Sequence, residues 1–307
     1  MAAFLLHLLL KTVFAGMTTR TDLLRPPAII MPAEAAAGPD LPVSTPIPPR
    51  KIDAASLGVK LTAPTAALID TRSGEVLFSQ GDDRVVPIAS ITKLMTAMVL
   101  LDLNPDWNAQ ITIEAGDNAL EGIPYLKTGD RLSARDLFQV MLVGSANNAA
   151  MALSRASGVS RETVVEKMNS KARALGLAHT SFVDPTGYLP ENRSVALEVA
   201  RLAAAALARP EIREALTQKE IVVKTAAGFD RRVPATDVLL QSFLNQGEFQ
   251  IVGGKTGYTE EAGYTLVLRA KQGEADVIGV VLGSATSDDR FQDGKSLLFW
   301  GFKTFEW

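Results

Sequence analysis

The 307-residue sequence contains no cysteine and only two histidines, His7 and His179. Without thiols, the chain cannot form disulfides, thiolate zinc sites, iron–sulfur centres or a cysteine nucleophile. Two histidines are too few for a polyhistidine metal centre, and a Ser-His-Asp triad would have to depend on His179 alone. We therefore expect no metal site and no cofactor, and we interpret His179 as a structural residue.

The chain also has no large excess of positive or negative charge. The chain has 31 basic and 34 acidic residues, which gives a formal net charge of −3. This balance argues against a nucleic acid as the partner, because such binding needs a concentration of positive charge. Apolar residues make up 47% of the chain and charged residues 21%, so most of it should fold around a sizeable core.

The N-terminus lacks an apolar run long enough to span a membrane, which takes about 20 residues. Residues 2–16 are mostly apolar but include His7 and Lys11, and their number is typical of a signal peptide. Because the usual positively charged leader is missing, an N-terminal anchor or a wrongly assigned start is an alternative. We predict export, to the periplasm or to the outer face of the cytoplasmic membrane.

Eight of the 16 prolines lie between Pro26 and Pro49. Proline favours extended chain and removes hydrogen-bond donors, so this stretch is typical of a semi-rigid spacer. A spacer behind an apolar N-terminus suggests a membrane tether, with a disordered tail as the alternative. The predicted organisation is a signal peptide or anchor at 1–16, a proline-rich linker at 17–59 and a globular domain at 60–307.

The globular part changes its hydrophobic periodicity twice. Strands are predicted at 65–70, 75–79 and 111–114, and helices at 90–101, 148–156, 161–175 and 196–208. A further helix is predicted over the apolar run 137–143, behind a capping box at Ser133–Asp136. Strand patterns then return at 221–225, 250–253, 264–270 and 276–282, before a closing helix at 291–305. This order predicts an α+β fold, in which an antiparallel sheet joins N- and C-terminal segments and packs against a helical cluster.

A serine and a lysine lie three residues apart at the start of the first predicted helix. Ser90 and Lys93 would share one helix face, about 5–6 Å apart between their Cβ atoms. A serine hydroxyl becomes a good nucleophile when a base takes its proton, and a lysine can do so if burial or a nearby cation lowers its pKa. Taken alone, such a pair is more often an ordinary N-cap and a solvated lysine.

Two further motifs combine hydroxyl, amide and amine groups. Ser145 and Asn147 follow an apolar run and could project into a cleft, where Ser145 could relay a proton and Asn147 could orient Lys93. A capped turn between two helices is the alternative. Lys-Thr-Gly occurs twice, and we assign the functional role to the strand-compatible copy at Lys255 and a turn role to the copy at Lys127.

In this order, the three motifs resemble those of the serine-type D-alanyl-D-alanine carboxypeptidases among the low-molecular-mass penicillin-binding proteins. The similarity covers residues 60–305 and extends to the segments Pro87-Ile-Ala-Ser-Ile-Thr-Lys-Leu-Met-Thr96, Leu126-Lys-Thr-Gly-Asp130, Gly144-Ser-Ala-Asn-Asn-Ala149, Phe182-Val-Asp-Pro-Thr-Gly187, Gly254-Lys-Thr-Gly-Tyr-Thr259, Ala262-Gly-Tyr264 and Leu297-Leu-Phe-Trp-Gly-Phe302. It implies a β-lactamase/transpeptidase-like fold, peptidoglycan stem peptides as substrates, and β-lactams as covalent inhibitors.

The resemblance also implies a role for each site residue. Ser90 would attack the carbonyl of the penultimate D-Ala, and Lys93 would accept its proton. Ser145 would pass a proton towards the leaving amine, and Asn147 would contact the substrate amide. The implied substrate-binding residues are Lys255, Thr256, Gly257, Tyr258 and Arg290, with the backbone N–H groups of Ser90 and Tyr258 as the oxyanion hole. Repulsion from the Lys255 ammonium would lower the pKa of Lys93.

Three other functions remain open. Shorter relatives with the same motifs cut crosslinks as DD-endopeptidases, which differ only in what the leaving amine carries. A class A β-lactamase needs a glutamate positioned for deacylation, whereas Glu162 and Glu166 lie on a predicted regular helix. A catalytically silent wall-binding protein is the third alternative, and the intact Ser90, Lys93 and Lys255 argue against it.

Overall fold

One antiparallel sheet with helices on both faces organises the fold. The computed structural model describes residues 46–52, 54–120 and 122–307, all within one compact unit. The predicted signal or anchor segment, 1–16, and most of the predicted linker, 17–59, lie outside the described residues.

The described residues contain thirteen strands, seven α-helices and four short 3₁₀ helices. The strands are β1 (Arg50–Lys51), β2 (Thr65–Asp70), β3 (Val76–Gln80), β4 (Val86–Pro87), β5 (Gln110–Thr112), β6 (Arg131–Ser133), β7 (Arg193–Ser194), β8 (Glu220–Lys224), β9 (Asp230–Pro234), β10 (Phe249–Thr259), β11 (Gly263–Gln272), β12 (Ala275–Ser284) and β13 (Phe305–Glu306). The α-helices are α1 (Thr92–Asp102), α2 (Ala134–Val143), α3 (Asn147–Arg155), α4 (Arg161–Ala174), α5 (Ala196–Leu207), α6 (Pro210–Leu216) and α7 (Ser287–Thr304). The 3₁₀ helices are Ala89–Ile91, Ala115–Asn118, Val238–Gln241 and Phe243–Asn245.

The central sheet has the strand order β10-β11-β12-β2-β3, and every neighbouring pair is antiparallel. The N-terminal strand β2 therefore pairs with the C-terminal strand β12, as the sequence pattern predicts. Successive side chains of a strand point to opposite faces. Ala67 and Ile69 of β2 accordingly join the core of the helical cluster, whereas Ala66 and Leu68 join a second core that includes Leu297 and Leu298 of α7.

Helix α1 lies at the centre of the helical cluster. Ten of its eleven residues are buried, and it contacts α2, α3, α4, α5 and α6. A helix that is apolar on all sides is stable only when other elements surround it, and this is the arrangement seen here. The 3₁₀ turn that precedes α1, Ala89–Ile91, packs against β10, so the start of the helix lies beside the edge of the sheet.

Most of the predicted helix limits agree with the capping side chains. Ser133 accepts a hydrogen bond from the Asp136 N–H at the start of α2, and Ser160 accepts one from the Thr163 N–H at the start of α4. At Gly176, just beyond α4, the backbone has a φ of 70°, a conformation that suits a residue without a side chain.

Several limits differ from the prediction. The closing helix α7 begins at Ser287 and not at 291, because Thr286 caps it there. The first helix begins at Thr92 and not at Ser90, because residues 89–91 form the 3₁₀ turn. Pro210 opens the additional helix α6, since proline is well suited to the first helical position. Strand β10 runs on to Thr259, well past residue 253, because pairing with β11 continues through the Lys255 motif.

The described part of the predicted linker contributes to the folded unit. β1 pairs with β13, and the Ile52 N–H donates to the Thr304 carbonyl at the end of α7. Ordered structure thus begins before residue 60. Among the described residues, there is no helix that is both long enough and apolar enough to span a membrane.

We expect Leu68→Ala to lower the free energy of unfolding by about 2–5 kcal/mol, because it removes a large apolar side chain from the core between the sheet and α7. Val76→Ala, at a position 40% exposed on the edge strand β3, should cost less than about 1 kcal/mol. Urea denaturation of both variants measures the difference, and equal losses would contradict this account of the core.

Candidate active site

Ser90 and Lys93 meet at the junction between the 3₁₀ turn and α1. The Lys93 Nζ lies 2.8 Å from the Ser90 Oγ, within hydrogen-bond distance. Lys93 is completely buried, whereas Ser90 is half-buried. The three-residue spacing therefore brings an amine and a hydroxyl together, as predicted.

The Lys93 amine has two partners besides Ser90. Its Nζ donates to the Asn147 Oδ1 at 2.7 Å and to the Thr186 carbonyl oxygen at 2.8 Å. A neutral amine has two N–H bonds and one lone pair, so these two acceptors leave the lone pair for the Ser90 hydroxyl. Burial lowers the pKa of Lys93 to about 7, although the negative charge of Asp184 opposes this shift.

Asp184 was not among the predicted site residues, yet it holds the loop that carries Thr186. Its carboxylate accepts hydrogen bonds from the backbone N–H groups of Thr186, Gly187 and Leu189, the Thr186 hydroxyl and the Asn192 amide. Burial opposes ionisation of Asp184, but these hydrogen bonds outweigh it and lower its pKa. The sequence signal was Asp-Pro-Thr-Gly, in which the aspartate caps a turn with its own side chain.

Ser145 and Lys255 form a second hydroxyl–amine pair. The Lys255 Nζ donates to the Ser145 Oγ at 2.7 Å and to the Thr256 carbonyl oxygen at 2.9 Å. Ser145 has a φ of 59°, an uncommon conformation for serine that is typical of functional sites.

The two buried lysines influence each other. The pKa of Lys255 is lowered mainly by burial, then by repulsion from Lys93 and Arg290, while Asp237 opposes the shift. The sequence predicts repulsion from Lys255 as the cause of a lowered pKa at Lys93, and the structure shows a different main cause. Burial is the main cause of the lowered pKa at Lys93, and the repulsion between the two amines, which is mutual, adds to the effect of burial at Lys255.

Gly257 allows β10 to approach the nucleophile turn. A Cβ atom at this position would lie 2.9 Å from both the Ser90 backbone nitrogen and the Ala89 Cβ, and 2.5 Å from the Thr265 Oγ1. Only glycine therefore fits between the strand and the turn. The neighbouring Tyr258 stacks on Tyr264 at 4.3 Å between ring centroids and is 51% exposed.

Arg290 reaches the same strand from α7. Its Nη1 donates to the Gly257 carbonyl oxygen at 2.9 Å, and its guanidinium lies over the rings of Tyr264 and Phe291. The Thr256 hydroxyl, one residue before Gly257, is 2.6 Å from the Thr236 hydroxyl. The structure thus brings together every residue predicted for the site, on α1, α3, β10, α7 and the loops beside them.

The alternatives to these residues lie elsewhere. The second Lys-Thr-Gly, at Lys127, is an exposed turn before β6 whose backbone is held by Asp130. His179 binds Glu198 through its Nδ1 at 2.8 Å. Glu162 and Glu166 are exposed on the regular helix α4. Among the described residues, no group of acidic or histidine side chains is arranged to hold a metal ion.

The sequence profile of a family described as D-alanyl-D-alanine carboxypeptidase matches residues 51–286. The D-alanyl-D-alanine endopeptidase of Pseudomonas aeruginosa is 34% identical over 243 residues, which are 78% of this chain and 77% of that protein. The D-alanyl-D-alanine carboxypeptidase DacC of Escherichia coli is also 34% identical, over 78% of this chain and 61% of that protein.

Solved structures of similar proteins have the same architecture. Penicillin-binding protein D2 of Listeria monocytogenes in its ampicillin-bound form has a TM-score of 0.69 at 31% identity and covers 80% of this chain, with all of its own length matched. The Streptomyces K15 DD-transpeptidase has a TM-score of 0.73 at 28% identity, covering 81% of this chain and 100% of its own. The predicted α+β, transpeptidase-like fold is therefore confirmed.

We expect the Lys93 amine to titrate near pH 7, because its burial favours the neutral form. The unfolded chain would keep this proton up to the ordinary pKa of 10.5, so Lys93 makes the free energy of unfolding rise with pH between about 7 and 10.5. The ¹³Cε shift of Lys93 in lysine-labelled protein, assigned by its loss in Lys93→Ala, measures the midpoint. A midpoint near the ordinary lysine pKa of 10.5 would contradict the prediction.

Proposed function

The chain belongs to the D-alanyl-D-alanine carboxypeptidase family of serine peptidases, and we propose that Ser90 is its nucleophile, acting on the D-Ala-D-Ala end of peptidoglycan stem peptides. The observation that carries this proposal is the buried Lys93 amine, 2.8 Å from the Ser90 Oγ and oriented by Asn147 and Thr186. With a pKa of about 7, half of such amines are neutral at neutral pH and able to accept the Ser90 proton.

Acylation begins when the Ser90 Oγ attacks the carbonyl carbon of the penultimate D-Ala and its proton passes to Lys93. The backbone N–H groups of Ser90 and Tyr258 stabilise the oxyanion, a role supported by the close approach of β10 to the Ser90 nitrogen at Gly257. The C–N bond then breaks, and the proton that Lys93 received passes to the leaving amine, relayed by the Ser145 hydroxyl that Lys255 holds, so that Lys93 is neutral again. Water hydrolyses the ester, returning Ser90.

Lys255, Thr256 and Arg290 bind the terminal carboxylate of the substrate. Lys255 of β10 and Arg290, which donates to the Gly257 carbonyl of the same strand, supply positive charge, and Thr256 supplies a hydroxyl. An anion in this buried site offsets the repulsion between the two cations, which favours a substrate that ends in a carboxylate.

A β-lactam presents a reactive amide carbonyl and a carboxylate to the same groups. Ser90 would open the ring and remain acylated. The ampicillin-bound and cefotaxime-bound forms of the Listeria relative support this part of the proposal. The exposed positions of Glu162 and Glu166 on α4 argue against rapid deacylation of the class A β-lactamase type.

The N-terminal part of the proposal concerns export. Residues 1–16 serve as a signal peptide or anchor, and the proline-rich linker that follows separates them from the catalytic domain. Family members act on peptidoglycan, which lies outside the cytoplasmic membrane, so the catalytic domain works in the periplasm or at the outer face of that membrane.

We expect Ser90→Ala to abolish both covalent β-lactam labelling and release of D-Ala, because the nucleophile is removed. Lys93→Ala should lower the acylation rate about 10²–10⁴-fold, the usual contribution of a general base. Intact-protein mass spectrometry, with the adduct mapped by peptide digestion, measures both. The matched control is Lys127→Ala in the exposed second Lys-Thr-Gly, which should acylate at the native rate. A labelled Ser90→Ala protein would refute the assignment.

A second candidate function is that of a DD-endopeptidase on crosslinks. It is favoured by the P. aeruginosa endopeptidase, of which this chain covers 77%, against 61% of the carboxypeptidase DacC. The chemistry at Ser90 is identical, and only the group attached to the leaving amine differs.

We expect the purified protein to release free D-Ala from uncrosslinked pentapeptide fragments, since Lys255 and Arg290 need only the terminal carboxylate. Chromatography of parallel digests of pentapeptide monomers and crosslinked dimers distinguishes the two activities. Conversion of dimers to monomers without release of D-Ala would establish the endopeptidase in its place, and Ser90→Ala is the blank for both digests.

A further inference from the structure

A buried carboxyl group that this mechanism does not use lies behind Lys255. Asp237 is 5% exposed, and its Oδ1 accepts a hydrogen bond from the Leu239 N–H at 2.9 Å. Among the described residues, its Oδ2 has no hydrogen-bond partner, and the same is true of the buried Nε of Arg290. Unsatisfied buried polar atoms destabilise a fold, so their presence beside an active site calls for a functional reason.

The backbone holds Asp237 firmly against β10. The preceding Thr236 donates its N–H to the Val143 carbonyl oxygen and pairs its hydroxyl with that of Thr256. A Cβ atom at Gly254 would lie only 2.8 Å from the Asp237 Oδ2, so this carboxyl oxygen touches the strand one residue before Lys255. Glycine at 254 thus leaves room for the carboxylate.

The charges around Asp237 come from two elements. Lys255 of β10 and Arg290 of α7 both act on it, whereas the 3₁₀ helix that it caps, Val238–Gln241, contains no charged side chain. Lys93 influences the charge of Asp237 indirectly, because it repels the Lys255 ammonium. The Lys93 amine has its own carboxylate, Asp184, so each of the two buried lysines is accompanied by one acidic side chain.

We propose that Asp237 is a positioning residue that decides which of the two buried lysines holds their shared proton. Burial and the repulsion from Lys93 and Arg290 favour loss of the proton from Lys255, and the Asp237 carboxylate opposes that loss. Lys255 thereby stays charged, and Lys93 remains the neutral amine that deprotonates Ser90. The inference rests on the proposed roles of Lys93 and Lys255. When two close amines share one proton, acylation needs the form with neutral Lys93 and protonated Lys255. Without Asp237, the attraction of Asp184 would favour the opposite, inactive form.

Asp237 also destabilises the fold at neutral pH. Burial raises its pKa to about 6, so the folded protein holds this proton at pH values where the unfolded chain has lost it. The stabilisation from the protonated form is lost as the pH rises from about 4 to about 6. Above pH 6, the folded protein carries a buried anion that lowers its free energy of unfolding. A residue with only a structural role would not need this charge.

The test compares Asp237→Asn and Asp237→Ser with the native protein. Both side chains can still accept the Leu239 N–H. We expect the maximal second-order rate constant for acylation by a β-lactam to fall about tenfold or more, and the alkaline limb of its pH profile to move down by about one pH unit. The Tm at pH 8 should rise by about 2–6 °C, because the buried anion is gone.

Asp70→Asn is the matched control. Asp70 is equally buried, but its oxygens accept from Trp307 and Ser73, outside the site. This variant should lose stability and keep the native pH profile. Two results would overturn the inference. One is a native pH profile of acylation in both Asp237 variants, and the other is a lower Tm with an unchanged pH profile, which indicates a structural role.

Failure of the proposed function would be seen in a different measurement. In that case, the β-lactam adduct of the native protein would not map to Ser90.

Discussion

The burial of two lysine amines in one site is the constraint on which the rest of the structure depends. An amine in water keeps its proton at neutral pH and cannot act as a base. Enclosing Lys93 moves its pKa from 10.5 to about 7, which corresponds to on the order of 5 kcal/mol of lost preference for the charged form. The fully surrounded helix α1 and the long strand β10 provide this enclosure.

Burial alone would leave the two amines without hydrogen-bond partners. Carbonyl, amide and hydroxyl groups of neighbouring residues are therefore held in place to accept hydrogen bonds from them. The Thr186 carbonyl is held by the Asp184 turn, and Gly187 fits there because a side chain would overlap the Ala89 carbonyl oxygen. Gly257 brings β10 against the Ser90 nitrogen in the same way. At both positions, side-chain packing is given up so that the backbone can approach the active site closely. Such local losses of stability are common in enzyme sites.

Local patterns predicted much of the fold and of the site. The short apolar runs in β2 and β12 and the apolar helix after Ser90 were sufficient to predict an α+β order of elements. The strand context of Lys255 distinguished it from Lys127. The limits of the first helix and of β10 were missed, since they depend on packing and pairing between distant segments. Asp237 gave no signal, because an aspartate before Val-Leu-Leu is indistinguishable from an ordinary cap.

By itself, the sequence determined which chemical groups are available: hydroxyls, amines and an amide, with no thiol and almost no imidazole. It also determined the three-residue spacing of Ser90 and Lys93, because helix geometry is local. Only the tertiary structure decided that Lys93, Asn147 and Thr186 meet, and how deeply both lysines are buried. Burial and charge repulsion are sums over the whole fold, so no short segment of the chain contains them.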